Sequence, residues 1–235
     1  MSQIAANLAS VRERVEEAAL RSGRDRDSVE LLVVSKTWPA EIVGEVVDAG
    51  QRVLGENKVQ EAEAKIPLLS SSLSWHLIGS LQRNKVRKAL PLFDVLHGIT
   101  SLKLAEAVNR VSQELGLHPK GYLQVNIGEE ESKSGFTLDE IRSSLKELLL
   151  LERLDLMGLM MIPPIETEPE KSRQWFVKLR ELRDELQEQE GVPLPGLSMG
   201  MSSDFEMAIE EGSTIVRVGS SIFGPRKKIN TEANH

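Results

Sequence analysis

Short apolar runs alternate with helical patterns eight times along this chain, and no other feature limits its architecture as strongly. The runs are 31–34, 52–55, 75–78, 92–97, 121–127, 154–160, 196–199 and 214–218. A strand, a helix and a second parallel strand join through a right-handed crossover, so repeated units build a parallel sheet covered by helices. Eight such units in 235 residues match a closed (β/α)8 barrel, whose usual length is about 250 residues. The predicted fold is therefore an α/β protein, a single TIM barrel spanning 1–235 as one domain. The runner-up is an open doubly wound sheet. That fold needs a switch point and usually a glycine-rich first turn, and Ser35-Lys36-Thr37 is not one.

An extra helix precedes the first strand. Ile4, Leu8, Val11, Val15 and Ala18 recur at helical spacing, and Gly23 closes the pattern. After the first strand, Pro39 suits a first helical position because it has no N–H to leave unpaired. Ser101 is expected to cap a helix that ends at Gly116. Thr137 to Glu140, Thr167 to Glu170 and Ser203 to Glu206 read as capping boxes. The polar stretch 226–235 is expected to be a frayed tail.

Composition excludes several function classes. A net charge of −7 lacks the basic footprint of a nucleic-acid binder. The basic segment Arg83 to Lys88 reads as a solvated helix face. With no cysteine there is no disulfide framework, no Cys-based zinc site and no thiol nucleophile. His76, His97, His118 and His235 show no metal-ligand spacing. No basic segment followed by an apolar run marks a signal peptide, and no run approaches a membrane span, so the expected location is the cytoplasm.

In a barrel the carboxyl ends of all strands face one mouth, where chemistry sits. Lys36, Asn57, Gly79 and His97 follow or end the first four strands, and Asn126, Met160-Met161, Ser202 and Gly219-Ser220 the last four. Lys36 runs straight out of Leu31-Leu32-Val33-Val34-Ser35. Partial desolvation there would lower its pKa and let the amine attack a carbonyl; the plainer reading is a strand-end lysine whose stem packs while its ammonium reaches water. Ser198 to Asp204 and Gly219-Ser220-Ser221 carry the glycine and hydroxyls of a phosphate site, after strands seven and eight. They read equally well as a cap and a turn. Arg217 stands inside an apolar strand, so it either pairs with a core carboxylate or points into the mouth. A lysine for a Schiff base, a phosphate nest and an opposed arginine together suggest pyridoxal 5′-phosphate.

Longer motifs carry a resemblance. Val34-Ser35-Lys36-Thr37, Gly55 to Glu61 and Trp75 to Lys85 belong to it, as do Lys133-Ser134-Gly135, Gly158-Leu159-Met160 and Leu197 to Ser202 through Phe223-Gly224. Over nearly its whole length the chain resembles the pyridoxal phosphate homeostasis protein family (YggS/PROSC-like proteins). Two small departures are Leu54 in place of an aromatic residue before Gly-Glu-Asn, and Gly98-Ile99-Thr100 in place of a loop with an acidic residue. The resemblance implies a barrel similar to the amino-terminal domain of alanine racemase, with Lys36 bound to pyridoxal phosphate and Arg217 facing the ring nitrogen. It implies Ser202, Gly219 and Ser220 as phosphate binders and Asn57 as a neighbour of the ring.

The implied function is a carrier or regulator in intracellular vitamin B6 and amino-acid homeostasis, without robust catalysis of its own and hence without catalytic residues. An arginine at the ring nitrogen disfavours its protonation and makes the ring a poorer electron sink. The alternative is a racemase-like pyridoxal phosphate enzyme; racemases of this barrel type add a second domain that supplies a tyrosine base. The one tyrosine here, Tyr122, falls near the start of strand five, away from the mouth. A third possibility is a cofactor-free Schiff-base aldolase. The expected partners are the cofactor and, through it, apo-enzymes that require it; a monomer is expected, with no nucleic acid, membrane or metal.

Overall fold

The computed structural model describes residues 2–130, 132–164, 166 and 168–225. Eight parallel strands close into a barrel in chain order: β1 (Glu30–Val34), β2 (Val53–Glu56), β3 (Ser74–Leu77), β4 (Val95–Ile99), β5 (Lys120–Gln124), β6 (Asp155–Met160), β7 (Gly196–Met201) and β8 (Ile215–Val218). β8 pairs back onto β1, with Leu32 opposite Arg217. The helices are α1 (Gln3–Arg21), α2 (Ala40–Asp48), α3 (Val59–Lys65), α4 (Val86–Ala89), α5 (Leu102–Leu115), α6 (Leu138–Leu149), α7 (Arg173–Glu190), α8 (Phe205–Glu210) and α9 (Ser220–Phe223). The TIM barrel and the extra amino-terminal helix are thus as expected from the alternation.

Two cores follow from the period of two along each strand. One set of side chains packs outward against the helices, among them Val33, Leu54, Leu77 and Leu197. The other fills the barrel interior with Leu32, Ile78, Val95, Tyr122, Met160 and Ile215. The apolar stripe of α1 is buried at Leu8, Val11, Val15 and Ala18. Asn7 of that helix donates to the Ile222 carbonyl at 2.9 Å, and Arg14 grips Glu206 through two bonds of 2.9 Å. α1 thereby straps the last two units together. No described helix is long and apolar enough to cross a membrane.

Local signals held where a side chain had a backbone partner to satisfy. Thr137 and Glu140 form the reciprocal capping box on α6, and Ser101 caps α5, which ends in left-handed Gly116. Elsewhere the boundaries moved. Pro39 is the N-cap of α2, one residue ahead of the first helical position. β4 begins at Val95 and runs through Gly98-Ile99, because Asp94 instead accepts from the Ser74 hydroxyl and the Trp75 amide at 2.9 Å each. β5 stops at Gln124, since the chain turns back and Phe136 donates to the Gln124 carbonyl. The expected capping box at Ser203 to Glu206 does not form. Asp204 is the N-cap of α8, and its carboxylate accepts from the Met201 amide at 2.7 Å. The capping box at Thr167 and the tail 226–235 lie outside the described residues.

Candidate functional site

Lys36 stands at the carboxyl end of β1 in a turn built by its neighbours. Ser35 accepts from the Trp38 amide at 3.1 Å, and Thr37, with φ of +71°, sits in the left-handed region that β-branched residues avoid. The Thr37 amide donates to Glu61 at 3.0 Å. Beneath the turn lies an ion pair that sequence reading did not find. The fully buried carboxylate of Glu56, at the end of β2, meets the ammonium of buried Lys65 from α3. The Ser35 hydroxyl also donates to Glu56, at 2.6 Å, and Lys65 donates to the Ser35 carbonyl at 2.9 Å. Burial pushes the Glu56 carboxyl up, and the Lys65 and Ser35 hydrogen bonds oppose that rise. Nothing in the spacing of a strand end and a helix end nine residues later announces such a pair.

Around Lys36 opens a pocket of about 480 Å³, inside the usual range for small-ligand sites. Lys36, Asn57, Arg217, Ser202, Gly219 and Ser220 all line it, so the six residues singled out from the sequence share one cavity. Asn57 is held against the end of β3: a Cβ on Gly79 would lie 2.1 Å from the Asn57 carbonyl oxygen, so only glycine fits there. On the other side of β1 the Gly219 amide donates to the Ser202 hydroxyl oxygen at 3.2 Å, and the Ser221 hydroxyl to the Ser202 carbonyl at 3.4 Å. α9 begins at Ser220, one residue after Gly219, and Trp38 stacks on its Phe223 with ring centroids 5.4 Å apart. The lysine turn and the serine–glycine wall are therefore one packed unit.

Arg217 forms the floor. It does not pair with a core carboxylate; one terminal nitrogen donates to the Ser198 carbonyl at 2.8 Å and hydroxyl at 2.6 Å, the other to the Met161 carbonyl at 2.8 Å. Burial lowers the guanidinium to about 10, against the pull of Asp204, so it remains charged at neutral pH.

Three residues expected at the mouth are not among those lining the pocket. His97 lies within β4, fully buried in the barrel interior, because that strand runs two residues past it. Asn126 turns to its own loop, donating to the Glu130 carbonyl at 2.9 Å and accepting from the Glu130 amide at 3.2 Å. Met160 is interior core, and Met161 offers the pocket side its carbonyl. Tyr122 packs inside the barrel on His97, with centroids 4.8 Å apart, and burial pushes its hydroxyl up to about 12. A larger cavity, about 940 Å³, lies at the amino-terminal end and is lined by His76, Tyr122, Trp75 and Lys120; that end of a barrel serves stability rather than chemistry. Among the described residues no cluster of His, Asp or Glu could hold a metal ion. The basic segment is paired at Arg87 with Glu114 and at Lys88 with Glu63.

Among the described residues the donor set of the mouth is two cations, serine hydroxyls and backbone amides, with no Asp or Glu in the lining. That chemistry suits a dianionic phosphate with a carbonyl group beside a lysine. The fold and the pocket thus define a class: a (β/α)8 barrel with an amine and a serine–glycine wall on adjoining strands at its carboxyl mouth.

Comparison with known proteins identifies the family. The sequence profile described as "Alanine racemase, N-terminal domain" matches residues 2–227. The "Pyridoxal phosphate homeostasis protein" of Aquifex aeolicus is 42% identical over 221 residues, covering 94% of this chain and 97% of that protein. PipY of Synechococcus elongatus, solved "with PLP bound", superposes with a TM-score of 0.85 at 40% identity, covering 94% of this chain and 100% of that one. Alanine racemase of Clostridium difficile shares the fold alone, at 16% identity and a TM-score of 0.75, over 97% of this chain and 58% of the racemase. The chain belongs to the pyridoxal phosphate homeostasis protein family.

Proposed function

We propose that this protein holds pyridoxal 5′-phosphate as a Schiff base on Lys36 and serves intracellular vitamin B6 and amino-acid homeostasis without robust catalysis of its own. The observation that carries the reading is the meeting of Lys36, Arg217 and the Ser202–Gly219–Ser220 wall in one pocket whose described lining has no carboxylate. When bound, the cofactor supplies an aldehyde for the amine and a pyridine ring that can draw electrons. The Ser202 hydroxyl and the amides at Gly219 and Ser220 would hold the phosphate, at the loop positions where barrels of this kind keep one. Asn57 would border the ring. Arg217, held on Ser198 and Met161, would face the ring nitrogen as a permanent cation and keep that nitrogen unprotonated.

This disposition argues against racemisation, which needs a base on each face of a bound amino acid. Lys36 serves one face. Tyr122 is in the barrel interior against His97, with its hydroxyl held protonated. In the same reading the barrel is the single working domain, a monomer of the cytoplasm that exchanges cofactor with apo-enzymes. The absence of cysteine supports a compartment without disulfide chemistry. The scatter of exposed large apolar residues over separate elements (Leu20, Leu68, Leu150 and Ile162) supports a monomer.

The test is to add pyridoxal phosphate, record the visible band of the complex, and then incubate the complex with amino acids in deuterated water. The band appears, and α-deuteration stays at the rate of the free cofactor. Protein-dependent exchange that is lost in Lys36→Ala would instead establish a racemase-like enzyme. Absence of any band would remove the cofactor reading and leave the aldolase class.

A further inference from the structure

A hydrogen-bonded chain crosses the barrel interior beneath the pocket. From Arg217 it runs to the Ser198 hydroxyl at 2.6 Å, from Ser198 to Nδ1 of His97 at 2.8 Å, and from Nε2 of His97 to Nδ1 of His76 at 3.0 Å. All four side chains are buried, and His76 lines the amino-terminal cavity. We infer that His97 and Ser198 are positioning residues for Arg217, and that the guanidinium sets the sense of every hydrogen bond in this chain.

A guanidinium only donates, so the Ser198 oxygen accepts from Arg217. The Ser198 proton then needs an acceptor, and Nδ1 of His97 is the acceptor that the hydrogen bonds of the described residues offer it. His97 Nδ1 is therefore unprotonated, and its proton is on Nε2, donated to Nδ1 of His76. His76 in turn carries its proton on Nε2. Both imidazoles are neutral in this register. Stacking of the His97 ring on Tyr122 holds its orientation. Burial, and for His97 also the Arg217 cation, works in the same direction by disfavouring imidazolium. The opposite sense would leave the Ser198 proton without a partner in the core, at a cost of about 1–3 kcal/mol for such a group. The chain thus fixes where the guanidinium points, and through it the atom that would meet the ring nitrogen. The link to the ring rests on the function proposed above; the sense of the chain does not.

Imidazole nitrogen NMR on the unloaded wild-type protein and on Ser198→Ala tests the inference, together with titration of both by pyridoxal phosphate. In the wild type His97 shows a protonated Nε2 and an unprotonated Nδ1 at neutral pH. In Ser198→Ala the His97 signal becomes a mixture of tautomers, cofactor affinity falls about tenfold and the visible maximum of the complex moves. A protonated Nδ1 or an imidazolium at His97 in the wild type overturns the inference. So does a Ser198→Ala protein with wild-type affinity and spectrum. If the wild type itself takes up no cofactor, the proposed function fails, while the imidazole spectra still decide the sense of the chain.

Discussion

The ammonium of Lys65 donates to the main-chain carbonyl of Ser35 at 2.9 Å, one residue ahead of the lysine on which the proposed function depends. The same ammonium is paired with Glu56, whose side chain is fully buried. Helix α3 is thereby fastened to the turn at the end of β1, and the strained Thr37 is kept in place by contacts on both sides. Strain of this kind persists only where its surroundings over-determine it.

Removing one partner from a buried ion pair leaves the other uncompensated. Lys65→Met should lower unfolding stability by about 3 kcal/mol in urea titrations and weaken cofactor uptake through the Ser35–Lys36–Thr37 turn. The double variant Lys65→Met with Glu56→Gln should recover part of the lost stability. Equal stability of Lys65→Met and wild type would show that the pair is dispensable.

Stability should fall on mild acidification. Burial lowers His76 from 6.5 to about 4 and drives His97 well down too, whereas both titrate normally when unfolded. Between those limits the unfolded chain binds more protons, so stability is present above the unfolded value and is lost as pH drops toward the folded one. Each histidine contributes a slope of up to about 1.4 kcal/mol per pH unit in that window. Urea midpoints measured from pH 6.5 to 5.5, where most carboxylates remain ionised, check this. A flat profile would mean that the imidazoles charge inside the fold.

The serine–glycine wall should affect binding more than folding. Ser202 is partly exposed and its side chain accepts one amide bond, from Gly219. Ser202→Ala should therefore keep unfolding stability within about 1 kcal/mol and weaken uptake of pyridoxal phosphate about tenfold, since a hydrogen bond to a charged group is worth about 1.5–3 kcal/mol. Uptake of pyridoxal, which lacks the phosphate, should change little. Equal losses for both vitamers would place Ser202 away from the phosphate.

The barrel was legible because alternation and helix period are long-range regularities that survive errors of one or two residues. The same errors mattered at the site. Ending β4 at His97 put that imidazole at the mouth, whereas two further residues of strand put it in the interior. Reading Ser203 as a cap missed Asp204, which occupies the cap position and spends its carboxylate on the Met201 amide. Lys36, Arg217, Ser202, Gly219 and Ser220 were accessible from sequence because each departs from its local pattern: a cation at a strand end, a cation within an apolar strand, small polar residues where a helix starts. The Glu56–Lys65 pair and the Ser198–His97–His76 chain were not. Glu56 and Lys65 belong to one strand–helix unit but carry no spacing signature, and Ser198, His97 and His76 come from three strands that meet only when the barrel closes.

The central claim is one bond at one residue. Loading the protein with pyridoxal phosphate, reducing it with borohydride and mapping the modified peptide by mass spectrometry tests it most directly. The expected product is a pyridoxyl group on Lys36, and a folded Lys36→Ala protein should give no visible band. A label on Lys65 or another lysine, or a band that persists in Lys36→Ala, would contradict it.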